Sequence, residues 1–178
     1  MSILSVFHPS SPGQPNKVLT HHDDITATLA EHGVHFARQP ADVRIRPGTP
    51  DDQVLDAWRE RLDQLLTANG FSAVSLLNQA GAIESQIDLR DEHVHSSDEL
   101  FAVISGRAQM ALRLGEFVFA VVCEKGDVLH VPAQTQRWID LGNSPFCLAA
   151  RLFRDQQGVQ AQFTGDPAAR EFLGMDEL

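Results

Sequence analysis

From about residue 71 onward the chain is made of short apolar segments: "SAVSLL", "LFAVIS", "AQMALRL", "EFVFAVVC", "DVLHVP", "RWIDL" and "FCLAARLF". Ser105-Gly106, Gly115, Lys125-Gly126 and Gly142-Asn143 separate most of them. Val, Ile and Phe side chains pack well on a pleated surface, while glycine supplies the backbone angles of tight turns. Strands of this length at this spacing predict a small antiparallel barrel or sandwich. No apolar run is long enough to cross a bilayer as a helix.

The first third reads differently. In "LTHHDDITATLAEHG", Thr20 is a candidate cap, Asp23 and Asp24 suit a first turn, and Gly33 a stop. His21 and His22 are adjacent, so their side chains diverge, and both read as solvated helix-entry residues. "GTPDDQVLDAWRERLDQLLTANGF" predicts one longer helix capped by Thr49, with Pro50 at its first position and Gly70 at its end. Val54, Leu55, Trp58, Leu62, Leu65 and Leu66 form an apolar stripe at helical spacing, the mark of a packing face. The 178 residues suffice for one core. The expected organisation is a single domain with a mainly helical portion over 1–70, a β-barrel over 71–165 and a tail over 166–178.

The net charge of −10 argues against a nucleic-acid partner, whose phosphates demand a basic patch. Cys123 and Cys147 lie in apolar contexts, "FAVVCEK" and "PFCLAA", as reduced core thiols do. The start "MSILSVFHPSSPGQPNK" lacks the basic and apolar regions of a secretion signal, so the expected address is the cytoplasm.

The stretch "EHVHSSDEL", residues 92–100, places His93, His95 and Glu99 just ahead of an apolar run. Histidines two apart share one face of a strand. A carboxylate beyond the turn-forming Ser96, Ser97 and Asp98 can fold back beside them. Two imidazoles and one carboxylate are the protein ligands of many non-haem iron oxygenases, and such a trio leaves positions open for substrate and O₂.

The pattern His-x-His-x₃-Glu-x₆-Gly, from His93 to Gly106, is similar to the first signature of the cupin barrel. "GDVLHVPAQTQRW", residues 126–138, resembles its second, a Gly-Asp, a strand and then Pro132. With "PNKVLTHHDDITATLAEHGV", "VPAQTQRWIDLG" and "RLFRDQQGVQAQFTGD", the chain resembles the acireductone dioxygenase family over nearly its whole length. The resemblance implies a cupin double-stranded β-helix preceded by a helical portion. It implies one Fe(II) or Ni(II) per chain, bound by the two motif histidines, the glutamate and a further histidine just before a tryptophan. The iron form cleaves the enediol of methionine salvage with O₂ to formate and a 2-keto acid; the nickel form releases carbon monoxide. The partners implied are thus a small enediol and O₂; the short apolar runs argue against a membrane, and the oligomeric state stays open, a monomer being favoured.

Carried over by position, the metal ligands are His93, His95 and Glu99, while Arg137 stands where the family has its fourth ligand. A guanidinium has no lone pair to offer a cation and does not deprotonate in proteins. Two residues past the glutamate the family carries an arginine for its anionic substrate; here it is Phe101. Ile139 replaces an aromatic residue, and Arg151 is kept. Three accommodations are open: the trio suffices, His130 or Gln136 substitutes as a ligand, or Arg137 clamps a substrate carboxylate or enolate beside Arg151. The expected function is oxidative cleavage of an enediol(ate) with Arg137 and Arg151 as catalytic cations. The alternatives are a divergent paralogue for another enolisable molecule, or a non-catalytic cupin.

Overall fold

The computed structural model describes residues 1–81 and 89–177; residues 82–88 of the expected barrel portion and Leu178 of the expected tail lie outside the described residues. The elements run β1 (Ile3–Phe7), β2 (Lys17–Leu19), α1 (His22–Ala30), β3 (His35–Arg38), α2 (Asp51–Ala57), α3 (Arg59–Asn69) and β4 (Ala73–Ala80). They continue β5 (His93–Val94), β6 (Glu99–Leu114), β7 (Phe117–Glu124), β8 (Asp127–Val131), β9 (Arg137–Asp140), β10 (Phe146–Phe153), α4 (Gln156–Val159) and β11 (Gln162–Phe163). Short 3₁₀ turns at Pro167–Glu171 and Met175–Glu177 follow. Among the described residues, no helix is long and apolar enough to cross a membrane.

The mainly β architecture expected from the second half is present, and it extends further. The helical first portion holds α1, α2 and α3, and it also adds three strands to the sheet, β1 against β7 and β2, and β3 against β8. β2 and β3 are short and partly polar, so their ladder partners, distant in sequence, decide their conformation, whereas β1, "ILSVF", is apolar and buried and carries a strand pattern of its own. Of the expected caps, Thr20 is displaced by His21 at the start of α1. Thr49 donates its hydroxyl to the Arg46 carbonyl, and Pro50 takes the cap position before α2. The long helix divides at Trp58, although Trp58 N–H still reaches the Val54 carbonyl and Leu62 N–H the Trp58 carbonyl. Gly70 ends α3 in the left-handed conformation, as read from the sequence.

The strands form two layers. One holds β4, β10, β8 and β3; the other holds β11, β5, β9, β7, β1 and β2; β6 belongs to both. Between the layers lies a core of Phe101, Val103, Met110, Leu112, Val121, Leu129 and their neighbours. The stripe on α2 and α3 covers the outer face of the first layer: Val54, Trp58, Leu62 and Leu65 pack on Leu100, Ala102, Ile104, Leu148, Ala150 and Leu152. On the outer face of the second layer, Trp138 packs with Phe7, Ala169 and Phe172.

The sequence predicts a turn at Ser105-Gly106, and the structure instead runs one strand straight through it. The reason is visible in the alternation. Before the junction, Phe101 and Val103 point to the interior; beyond it, Ala108, Met110 and Leu112 do. Odd numbers give way to even ones, because the pairing with β10 slips by one residue: Ala149 faces Val103 whereas Leu148 faces Ser105. An extra residue at a β-bulge flips the face of everything after it, so both halves keep their apolar side inward. Gly106, at φ 76°, lets the backbone of Phe146 pass where a Cβ would collide with its carbonyl. Gly106→Ala is therefore expected to destabilise the fold by ~2–4 kcal/mol, from left-handed strain plus displaced backbone, as read by urea unfolding. A loss under ~0.5 kcal/mol would show that β10 does not need this approach.

Candidate functional site

Four strands deliver the polar side chains of the interior. Glu99 opens β6, on the same face as Phe101. Arg151 lies on β10 directly across from Phe101. Arg137 begins β9, on the face of Ile139 and opposite to Trp138, and it pairs with His93 of β5. His95 follows two residues later. His93, His95, Glu99 and Arg137 are all 0% exposed and Arg151 is 5% exposed.

The two imidazoles are held in one tautomer. His93 Nδ1 lies 2.8 Å from the Asp91 carbonyl and His95 Nδ1 2.8 Å from the Gly158 carbonyl. A carbonyl only accepts, so each Nδ1 carries the hydrogen and each Nε2 presents a lone pair. Burial lowers the pKa of both rings, His95 to about 4, and keeps them neutral. Among the described residues, His93 Nε2 is buried without a partner. His95 Nε2 accepts from Arg151 Nη2 at 3.1 Å.

Glu99 sits between two cations. Arg151 Nε donates to its Oε2 at 2.7 Å, and Arg137 Nη1 to its Oε1 at 2.9 Å. Burial alone would raise the pKa of this carboxyl, yet the guanidinia of Arg151 and Arg137 pull it down to about 2. The magnitudes agree: each contact contributes about 4 kcal/mol at an effective dielectric of about 20, against a desolvation penalty of several kcal/mol per ion. Arg137 is also tethered to backbone, with Nε on the Thr135 carbonyl at 2.9 Å and Nη2 on that of Pro132 at 3.0 Å.

The donor types fit a divalent cation: two neutral imidazoles, one with an orphaned Nε2, and an ionised carboxylate. Their arrangement is less simple than the spacing suggests. Among the described residues, no three His, Cys, Asp or Glu side chains are grouped to hold one ion. Glu99 has an oxygen committed to each guanidinium, but a carboxylate has about four acceptor positions, so others stay open. Neither suggested substitute ligand reaches the site. His130 lies on β8 beside Leu129 and Val131, whose side chains point inward, so its own points outward, to Asp98 at 3.3 Å. Gln136 is exposed.

A cavity of about 570 Å³ adjoins this centre, walled in part by Leu77, Leu89, Ile139 and Leu141 and for the rest by polar and charged residues, among them Asp140, Arg90, Arg170 and Arg151. Arg137 does not line it. Phe101 is wholly buried in the core. One positioning residue, Glu92, carries no signal that sequence reasoning can use. It is 1% exposed on the opposite side of β5, where it accepts from Arg113 Nη2 at 2.8 Å and from the Thr164 hydroxyl at 2.8 Å. That buried ion pair anchors the strand whose next residue is His93. Ser97 and Gly158 fix the other side: a Cβ on Gly158 would lie 2.6 Å from that of Ser97, so glycine lets the Gly158 carbonyl reach His95.

Acid stability follows from these groups. Folded pKa values below the ordinary 6.5 for His95 and 4.5 for Glu99 mean that the unfolded chain binds more protons. Their contribution is complete above those values and is lost as pH falls through them towards about 4 and about 2. Chelator-treated protein should show its urea midpoint falling from near pH 6.5 and again below 4.5. Glu99→Gln strands two buried guanidinia, so at neutral pH it should cost ~3–5 kcal/mol and abolish the lower limb. A midpoint that is flat between pH 7 and pH 3 would refute the buried-pair account.

Comparison with known proteins accords with this architecture. The family model described as the ARD/ARD' family matches residues 11–161. An acireductone dioxygenase of Pseudomonas fluorescens is 44% identical over 181 aligned positions, covering 99% of this chain and 100% of that protein. One from Pseudomonas aeruginosa is 40% identical over 176 positions, covering 97% of each. The solved acireductone dioxygenase from Bacillus anthracis, with a cadmium ion in its active centre, has a TM-score of 0.74 at 18% identity, over 92% of this chain and 98% of that one. At such low identity that likeness speaks for the fold. The match over most of the chain and the 44% identity decide the matter: the chain belongs to the ARD/ARD' family.

Proposed function

We propose that this protein is a metal-dependent dioxygenase that cleaves an acireductone, a small enediol, with O₂. The observation that carries the reading is the pair of buried neutral imidazoles whose Nδ1–H groups are committed to backbone carbonyls, in a chain 44% identical to an acireductone dioxygenase. His93, His95 and Glu99 would hold one Fe(II) or Ni(II). When bound, such a cation supplies the Lewis acidity and the one-electron chemistry by which O₂ reacts with an enediolate.

The chain's own residues do the remainder. Arg151 spends Nε and Nη2 on Glu99 and His95, which leaves Nη1 to meet the negative charge of the enediolate at the cavity wall. Leu77, Leu89, Ile139 and Leu141 form the apolar part of that wall, where the lower dielectric strengthens electrostatic contacts. Arg137 acts through Glu99, whose position it fixes. The protein works as a single cupin unit over residues 1–178, a cytoplasmic monomer without nucleic-acid or membrane partners. A second reading, a different enolisable substrate, is favoured by Phe101, a buried core residue across from Arg151 at the position where the family resemblance implies an arginine.

Oxygen uptake by protein reconstituted with Fe(II), with acireductone as substrate, tests the first reading; formate and a 2-keto acid are the expected products. Loss of a metal ligand should cost more than the 10–100-fold typical of its supporting residues, so His93→Ala and His95→Ala should each lower the rate by ~10²-fold or more. If acireductone is not turned over while another enediol consumes O₂, the second reading replaces the first. If no enediol does, the enzyme assignment is wrong.

A further inference from the structure

The charge arrangement around Glu99 carries a consequence for how the centre relates to a metal. The carboxylate belongs to the half of β6 that pairs with β10, in the first layer. Arg137 comes from β9, in the second. Its guanidinium reaches across between the layers to Glu99, while its other nitrogens hold the Pro132 and Thr135 carbonyls of the loop leading into β9. Arg137 and Glu99 are each 0% exposed. A cation shared by ligands on β5 and β6 would join the same two layers.

We infer that Arg137 is a built-in cation: its contact with Glu99, alongside that of Arg151, ties the two layers together without a metal and lowers the affinity of the histidine pair for one. The inference rests on the reading that His93, His95 and Glu99 are the metal-binding residues. Its physical basis is charge. The Arg137, Arg151 and Glu99 side chains already sum to one positive charge in a buried centre, and a divalent ion raises that sum to three. Glu99 must also be shared between the ion and its guanidinia. Arg137 is therefore a positioning residue that trades metal affinity for order in the metal-free protein.

Cobalt(II) is a suitable probe, since its absorption reports coordination without any need for turnover. Chelator-treated wild-type protein should keep a cooperative melt and shift its Tm by less than ~2 °C on adding cobalt. Arg137→Gln removes the charge but keeps a hydrogen-bonding end. It should bind cobalt at least ~10-fold more tightly, melt lower when metal-free, and gain at least ~5 °C from cobalt. Arg137→Lys restores the charge without the fork and should return cobalt affinity towards wild type. A merely structural arginine gives the opposite sign: any replacement loosens the centre and weakens cobalt binding.

Cobalt binding that is lost in His95→Ala but no tighter in Arg137→Gln than in wild type overturns the inference and leaves the metal assignment standing. A wild-type Tm that rises steeply with cobalt overturns it too, with no variant needed. If cobalt binds none of these proteins, the metal assignment falls and the inference falls with it.

Discussion

Strand β6 lies in both layers, and the rest of the molecule takes its position from that one strand. Its first half pairs with β8 and β10, its second with β7 and β9. A strand that simply continued through the junction would turn the apolar side of its second half outward. The one-residue bulge corrects this, and Gly106 lets β10 pass close by at the same place. Everything on the interior is thereby aligned. Glu99, Phe101 and Val103 from one half face the same space as Ala108, Met110 and Leu112 from the other. Each paired strand then contributes its own alternate residues to that space.

That alignment brings charge into a place where water cannot screen it. Glu99 and Arg151 meet on neighbouring strands of one layer, and Arg137 joins them from the other when the two layers close. A single buried pair often does no better than break even against desolvation, but a carboxylate with a guanidinium on each oxygen is better compensated. The neighbouring imidazoles contribute no charge, being neutral through burial and bound at Nδ1 to fixed carbonyls. The centre is thus ordered by bonds within the chain: Glu92 and Arg113 behind β5, Gly158 beneath His95, and the Pro132 and Thr135 carbonyls behind Arg137.

Much of this was legible in the residues, and the limits have physical causes. Strands with continuous apolar runs announce themselves, so β4 and β6 to β10 were evident. Strands β2, β3, β5 and β11 are short or polar, and only long-range pairing makes them strands, while the apolar "ILSVF" of β1 is a strand pattern that the sequence reading passed over. The dipeptide Ser105-Gly106 looks like a turn because a glycine bulge and a glycine turn use the same backbone freedom. At the site, period-two alternation is enough to set Arg137 inside with Ile139 and Trp138 outside, and to turn His130 away. It says nothing of ion pairing. That Glu99 would be held by both arginines depends on β10 pairing beside it and on β9 meeting it across the barrel, and no spacing along the chain encodes either. Glu92 was opaque for the same reason, since its partners Arg113 and Thr164 lie far away in sequence.

The charge left over at the centre gives the cavity its chemical bias. Two guanidinia and one carboxylate leave one positive charge, and Arg151 is the group that carries it to the cavity wall. A positive charge that reaches the wall favours a counter-ion there, so an anionic guest beside Arg151 is stabilised more than a neutral one of the same shape. Leu77, Leu89, Ile139 and Leu141 lower the local dielectric on their part of the wall, while Asp140, Arg90 and Arg170 make the rest polar. Phe101, across from Arg151, adds no second cation on that side. Arg151, which touches the His95 ring, is thus the cation that links this cavity to the buried centre. The same bulged strand that makes the core continuous also sets Glu99 where Arg151, on the strand beside it, can meet it.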